Sequence, residues 1–154
     1  MLSTMPPNDL AKPRLMVDAD VLFAAAASSS EHGASLLVLR LAELSLLDAV
    51  ASEQVVIEVE RNLAEKLPVA LATFRFLVAR SLRIVADPAP TALDAHVGCA
   101  HAKDLPILVA ASQVDCRWLV TFNVRHFQPG ITGIQVVRPG DFILQVRTLL
   151  GHLV

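Results

Sequence analysis

At 154 residues, 54% of them apolar and only 18% charged, the chain is the size of one domain and too hydrophobic to be a disordered or solvating tail. A net charge of −2 argues against an avid, nonspecific nucleic-acid binder, but leaves room for an enzyme that engages nucleic acid through a local patch. The apolar excess points to surface covered by a partner or a second copy rather than to a bilayer. Arg40, Glu43 and Asp48 interrupt one leucine-rich stretch and Arg75 and Arg80 another, so no run reaches the ~18 nearly uncharged residues that a spanning helix needs.

Pro6, Pro7 and Pro13 mark residues 1–13 as an irregular leader, without the basic start and apolar stretch of a secretory signal. Cys99 and Cys116 make no disulfide framework and match no zinc spacing, so the expectation is a reduced, cytoplasmic protein with no membrane segment. Residues 14–150 are expected to form a single domain.

Residues 14–18 (RLMVD) read as a buried parallel strand ending in an acid. Small residues follow over 24–30, and a helix is expected to start near Glu31 or His32, with Leu36, Leu37, Leu41 and Leu44 at helical spacing. Residues 47–51 form a short strand. Ser52 then caps a helix running to Lys66, with Val55, Val56, Val59 and Leu63 on its apolar face. Pro68 separates it from a helix over 69–80. A strand over 82–86 stops at Asp87-Pro88, and a weaker helix covers 92–100. Residues 103–114 make a helix that tolerates Pro106 in its first turn, 117–122 (RWLVTF) a buried strand, 134–137 a late strand and 141–150 a closing helix. Strands separated by helices predict an α/β domain on a parallel sheet.

In such a sheet, ligands bind beyond the carboxyl ends of the strands. The polar residues expected there are Asp18 and Asp20 after the first strand and Asn123 after RWLVTF. Asp104 opens the helix leading into that strand, and Glu58 lies at the edge of the apolar stripe after Ser52. Gathering carboxylates is costly, because like charges repel and burial raises their pKa. A hard divalent cation such as Mg²⁺ or Mn²⁺ offsets that cost, so the pattern implies metal-assisted phosphate chemistry.

Each residue also has an ordinary reading. Asp104 alone is a helix cap, Glu58 competes with Glu60 and Glu65 as a surface glutamate, and Asp20 satisfies backbone N–H groups in a turn. Asp18 is the least ordinary, since an acid ending a buried strand must find a partner or a metal. His101 and His126 have no matching pair nearby and read as loop histidines, and the cysteines and Trp118 read as core. Surface charge is the default for Arg75, Arg80, Lys103, Arg117 and Arg125.

In order and spacing, VDADVLFAA (17–25), SEQVVIEVERNL (52–63), KDLPILVAA (103–111) and WLVTFNVRHF (118–127) resemble a PIN domain, and IQVVRPGDFI (134–143) resembles the family's last strand and helix start. PIN domains are small metal-dependent ribonucleases that include the VapC toxins of bacterial toxin–antitoxin pairs. The resemblance implies a three-layer α/β/α sandwich on a parallel sheet of four or five strands. It implies RNA phosphodiester hydrolysis with Mg²⁺ or Mn²⁺ held by Asp18, Glu58 and Asp104, assisted by Asp20 and Asn123, leaving a 5′-phosphate and a 3′-hydroxyl. Its implied partners are an RNA substrate, a cognate antitoxin protein and a second copy in a homodimer. Where many members carry a fourth Asp this chain has Asn123, and where some relatives carry an Asp three residues further it has His126. The resemblance thus leaves open one metal or a weakly held second one, and a narrow activity or none.

Two rival readings remain. A PIN-like module without catalysis would bind RNA or protein. A haloacid-dehalogenase-type phosphatase would use Asp18 as nucleophile and Asp20 as acid/base, but Asn123 is a poor substitute for the late acidic pair it requires.

Overall fold

Strand β1 (Arg14–Val17) carries three successive apolar side chains, Leu15, Met16 and Val17, all 0% exposed. Only a strand at the centre of a sheet covered on both faces buries every successive side chain, because neighbours point to opposite faces. The computed structural model describes residues 12–28 and 33–152 and shows that arrangement. Five strands, all parallel, lie in the order β3-β2-β1-β4-β5, where β2 is Asp48–Ser52, β3 Leu82–Val85, β4 Trp118–Val120 and β5 Gln135–Val137.

The two faces bury two separate cores. Leu15, Val17, Ala49, Ala51 and Val120 pack with helices α1 (Ala19–Ala27), α2 (Ala34–Glu43), α3 (Glu53–Lys66), α4 (Leu71–Ser81) and α7 (Pro139–Gly151). Met16, Val50, Val85 and Leu119 face the other way, against α6 (Leu105–Gln113) and the buried ring of Phe127. The three-layer α/β/α sandwich expected from the sequence is therefore present, with five strands. No helix among the described residues is long and apolar enough to cross a membrane.

Two segments differ from expectation. The stretch after β1, where small residues over 24–30 and no helix before Glu31 are expected, is helical: Asp18 caps α1 directly, its side chain accepting from the Ala19 N–H. Its alanines are strong helix formers, but α1 shows little amphipathic period because its half-buried side, with Phe23, Ala24 and Ala27, is as apolar as the side that buries Val21, Leu22, Ala25 and Ala26. The helix start expected near Glu31 or His32 falls outside the described residues, and α2 opens at Ala34 behind Gly33. The helix expected over 92–100 is only one turn, α5 (Pro90–Leu93), then a 3₁₀ turn (Asp94–His96); Gly98, at φ +89°, turns the chain away. Ser52, as expected, precedes α3, although its hydroxyl makes no capping bond.

Charge is neutralised at the amino ends of the strands. Asp48 lies beside Arg14 in the sheet register and pairs with Arg14 at 2.7 Å and Arg83 at 2.9 Å. Burial pushes the Asp48 carboxyl up, but the two guanidinium groups outweigh it and hold the carboxyl below its ordinary range.

The 3₁₀ turn Val124–Phe127 hangs from Phe127, whose ring is 0% exposed in the core beneath α6. Phe127→Ala is expected to cost about 3–5 kcal/mol, as for other buried phenylalanines cut to alanine, read as a lowered urea midpoint in equilibrium unfolding.

Candidate active site

β1 has β2 on one side and β4 on the other, so the chain order reverses at β1 and a crevice opens beyond the carboxyl ends of β1 and β4. Asp18 stands at the first of these ends and Thr121, Phe122 and Asn123 at the second. The Asp18 N–H donates to the Val120 carbonyl at 3.0 Å, which fixes the two ends against each other.

Asp18 is 5% exposed. Its Oδ1 accepts from the Ala19 N–H at 2.7 Å and its Oδ2 from the Thr121 hydroxyl at 2.8 Å. Thr121 Oγ1 in turn accepts from the Asn123 N–H at 3.0 Å, so one hydroxyl ties the two strand ends together. Asp20, one residue into α1, reaches across to the same loop: its Oδ2 accepts from the Phe122 N–H at 3.0 Å and from Asn123 Nδ2 at 3.2 Å. Its Oδ1 is buried and, among the described residues, has no hydrogen-bond partner.

These acids are held by neutral donors. Burial, reinforced by the charge of Asp20, pushes Asp18 up from 3.8 to about 6 against the opposing bonds from Thr121 and Ala19. Burial also raises Asp20, against its backbone donors. Among the described residues no lysine or arginine pairs with either, in contrast to Asp48 at the opposite end of the strands.

The structure brings every expected site residue into one cleft of about 230 Å³: Asp18, Asp20, Glu58, Asp104 and Asn123 all line it. Glu58 enters half-buried from α3. Asp104 sits at the N-cap position of α6 but makes no capping bond; its Oδ2 lies 3.1 Å from His126 Nδ1 instead. Its ordinary reading as a helix cap is thus not realised, whereas Asp20 does accept from backbone as its ordinary reading supposed. Asn123 donates to Asp20, leaving its carbonyl as its remaining acceptor.

Sequence reasoning set aside two residues that the fold places here. His101 and His126 line the cleft, their rings stacked at 4.4 Å, and Lys103 lines it with them. The available signal was spacing: His101 stands three residues before Asp104 and His126 three after Asn123. Cys116, by contrast, is buried and its thiol pushed up to about 12, chiefly by burial, consistent with the core role expected of it. Trp118 is likewise core.

The carboxylate set suits a divalent cation. An oxygen-only group with one buried, unpartnered oxygen and raised carboxyl pKa values lacks positive charge, and a hard cation supplies it.

Residues 14–125 match the family model described as a PIN domain, and the chain belongs to that family. That assignment displaces the phosphatase alternative, as does the Thr-Phe-Asn end of β4, which offers no acidic pair. No curated protein matches the chain. Among solved structures it is similar to VapBC2 from Rickettsia felis bound to a DNA fragment from their promoter. That match has a TM-score of 0.59 and 17% identity, covering 80% of this chain and 96% of that one. It is also similar to VapC20 of Mycobacterium tuberculosis, a sarcin-ricin loop cleaving toxin, with a TM-score of 0.55 and 16% identity over 77% of this chain and 97% of that one. At these identities the likeness is one of fold.

The raised Asp18 carboxyl sets a pH dependence. A folded-state value near 6 against 3.8 unfolded means that its contribution to stability is fully present below pH 3.8 and is lost as pH rises through about 6. Asp18→Asn is therefore expected to stabilise the metal-free protein at pH 7 by up to about 3 kcal/mol, with the gain vanishing near pH 4. Denaturant unfolding in EDTA at both pH values measures this, and an equal effect at both would contradict it.

Proposed function

We propose that the protein is a metal-dependent ribonuclease of the PIN family and the toxin of a toxin–antitoxin pair, acting in the cytoplasm. The observation that carries this reading is the cleft at the β1/β4 strand ends, where Asp18, Asp20, Glu58 and Asp104 converge and, among the described residues, no guanidinium or ammonium group pairs with them and one buried Asp20 oxygen has no partner.

Asp18, Glu58 and Asp104 are the catalytic carboxylates and would hold Mg²⁺ or Mn²⁺, with Asp20 as a further ligand. When bound, the cation supplies Lewis-acid chemistry, acidifying water and neutralising charge on the scissile phosphate. Thr121 keeps Asp18 ionisable and oriented through its 2.8 Å bond. Asn123 orients Asp20 and presents its carbonyl to water. Lys103 is the cation in the cleft wall suited to a backbone phosphate, and an adjoining depression that shares Glu58 and Lys103 and reaches Asp87 extends the path available to a single strand.

A protein partner fits the surface. Leu44, Leu46, Val69 and Phe76 are exposed, 49% or more each, and such side chains favour burial against a cognate antitoxin and in a homodimer. The similar Rickettsia felis structure is that of a VapBC pair, which supports the antitoxin half of this reading.

Asn123 favours a second reading, a family member that binds RNA without cutting it, since it removes a charge and occupies Asp20 with its amide. Incubation of end-labelled RNAs with Mg²⁺, Mn²⁺ or EDTA separates the two. Expected is cutting that requires metal, leaves 5′-phosphate ends and falls by about 10²-fold or more in Asp18→Asn and Asp104→Asn. Folded wild type and variant that both bind RNA and leave it intact would establish the binding module instead.

Asn123→Asp would set a carboxylate where the amide now meets Asp20. It is expected to lower the melting temperature in EDTA and to enlarge the rise produced by Mn²⁺, both read by differential scanning fluorimetry.

A further inference from the structure

We propose that His101, Asp104 and His126 form a second cation site on the rim of the cleft, selective for a borderline transition ion of the Zn²⁺ class. One potential ligand atom from each of the three lies within 4.8 Å of the other two. Two imidazoles and one carboxylate are the donor set of zinc and its neighbours. Mg²⁺ gains nothing from ring nitrogen, so the site differs in chemistry from the all-oxygen set of Asp18, Asp20 and Glu58.

The backbone beneath these side chains is tied in place. The His101 N–H donates to the His126 carbonyl at 2.8 Å, and the Asp104 N–H donates to the His101 carbonyl at 2.9 Å. The His126 N–H donates to the Asn123 carbonyl at 2.9 Å, and the next residue, Phe127, anchors the turn in the core. Two loops far apart in sequence thus present their donors side by side. The imidazoles stack with only 12° between their planes, and His126 Nδ1 already meets Asp104 Oδ2 at 3.1 Å. Tetrahedral zinc bonds of about 2.0–2.2 Å place donors roughly 3.3 Å apart. The exposed His101 side chain is the one with room to turn toward the other two donors. The solvent side stays open for water.

Asp104 belongs to both sets of donors. An ion on the histidines therefore withdraws it from the carboxylates, and zinc would oppose Mg²⁺ or Mn²⁺ in the neighbouring cleft.

Zn²⁺ titration of the untagged, metal-stripped protein by isothermal calorimetry, without RNA, tests the site separately from any cleavage. Expected is one zinc per chain, with affinity falling by roughly tenfold or more in His101→Gln and in His126→Gln and staying within about threefold in Asp18→Asn. Far-UV circular dichroism establishes that each variant is folded. Co²⁺ in place of Zn²⁺ should give visible absorption that both histidine variants weaken. No zinc binding by folded wild type, unchanged affinity in both histidine variants, or loss of binding in Asp18→Asn would each overturn the proposal.

Discussion

Mutual repulsion between carboxylates at the end of a buried sheet is the constraint around which this molecule is arranged. Asp18 follows the central strand, with Asp20 two residues on and Asp104 near enough that its charge raises both. A protein has two ways to hold such a group: neutralise it with guanidinium, as Arg14 and Arg83 do for Asp48, or leave it to a cation from solution. The same sheet does the first at one end of its strands and not at the other. What holds Asp18 and Asp20 is a small set of neutral donors from the β4 end: the Thr121 hydroxyl, the Phe122 N–H and the Asn123 amide. Neutral donors fix direction without cancelling charge, which leaves the acids available to a metal.

That geometry needs rigid support, because the like charges tend to push the strand ends apart. The support is the double-sided core. Leu15 and Val17 lock β1 to the helices on one face, Met16 and Leu119 lock the sheet to α6 on the other, and Phe127 holds the loop after β4 by a side chain pointing into the core while its neighbours point out. Parallel pairing of β1 with β4 and the Asp18 N–H bond to Val120 then leave little freedom for the two ends to separate.

The two solved relatives share the fold at 16–17% identity, over most of both chains. Such divergence is tolerated because the core asks for apolar volume and periodicity rather than particular residues. The cleft is where individual residues matter. There this chain has an amide at Asn123 in contact with Asp20, and a stacked histidine pair beside Asp104. Its donor chemistry is thus a mixture of oxygen and ring nitrogen, divided between the inner wall and the rim.

Much of this could be read from the chain alone. The apolar runs of β1 and β4, the stripe of Val55, Val59 and Leu63 between Ser52 and Lys66, and the acids at strand ends and helix starts are local patterns. They led to an α/β domain on a parallel sheet and to five of the residues that line the cleft, Asp18, Asp20, Glu58, Asp104 and Asn123, while the three-layer sandwich came from the resemblance to PIN domains. Helix α1 escapes such a reading because a helix that is apolar almost all round shows no apolar period, and its alanines look like linker. What each polar group touches was decided by tertiary structure. Thr121 meets Asp18 across 103 residues, and His126 meets Asp104 across 22, turning an expected helix cap and a loop histidine into a contacting pair. Periodicity is set by neighbours along the chain, whereas these contacts depend on strand order, which no local pattern encodes. The chemistry of the cleft therefore arises from which strand ends the fold sets side by side.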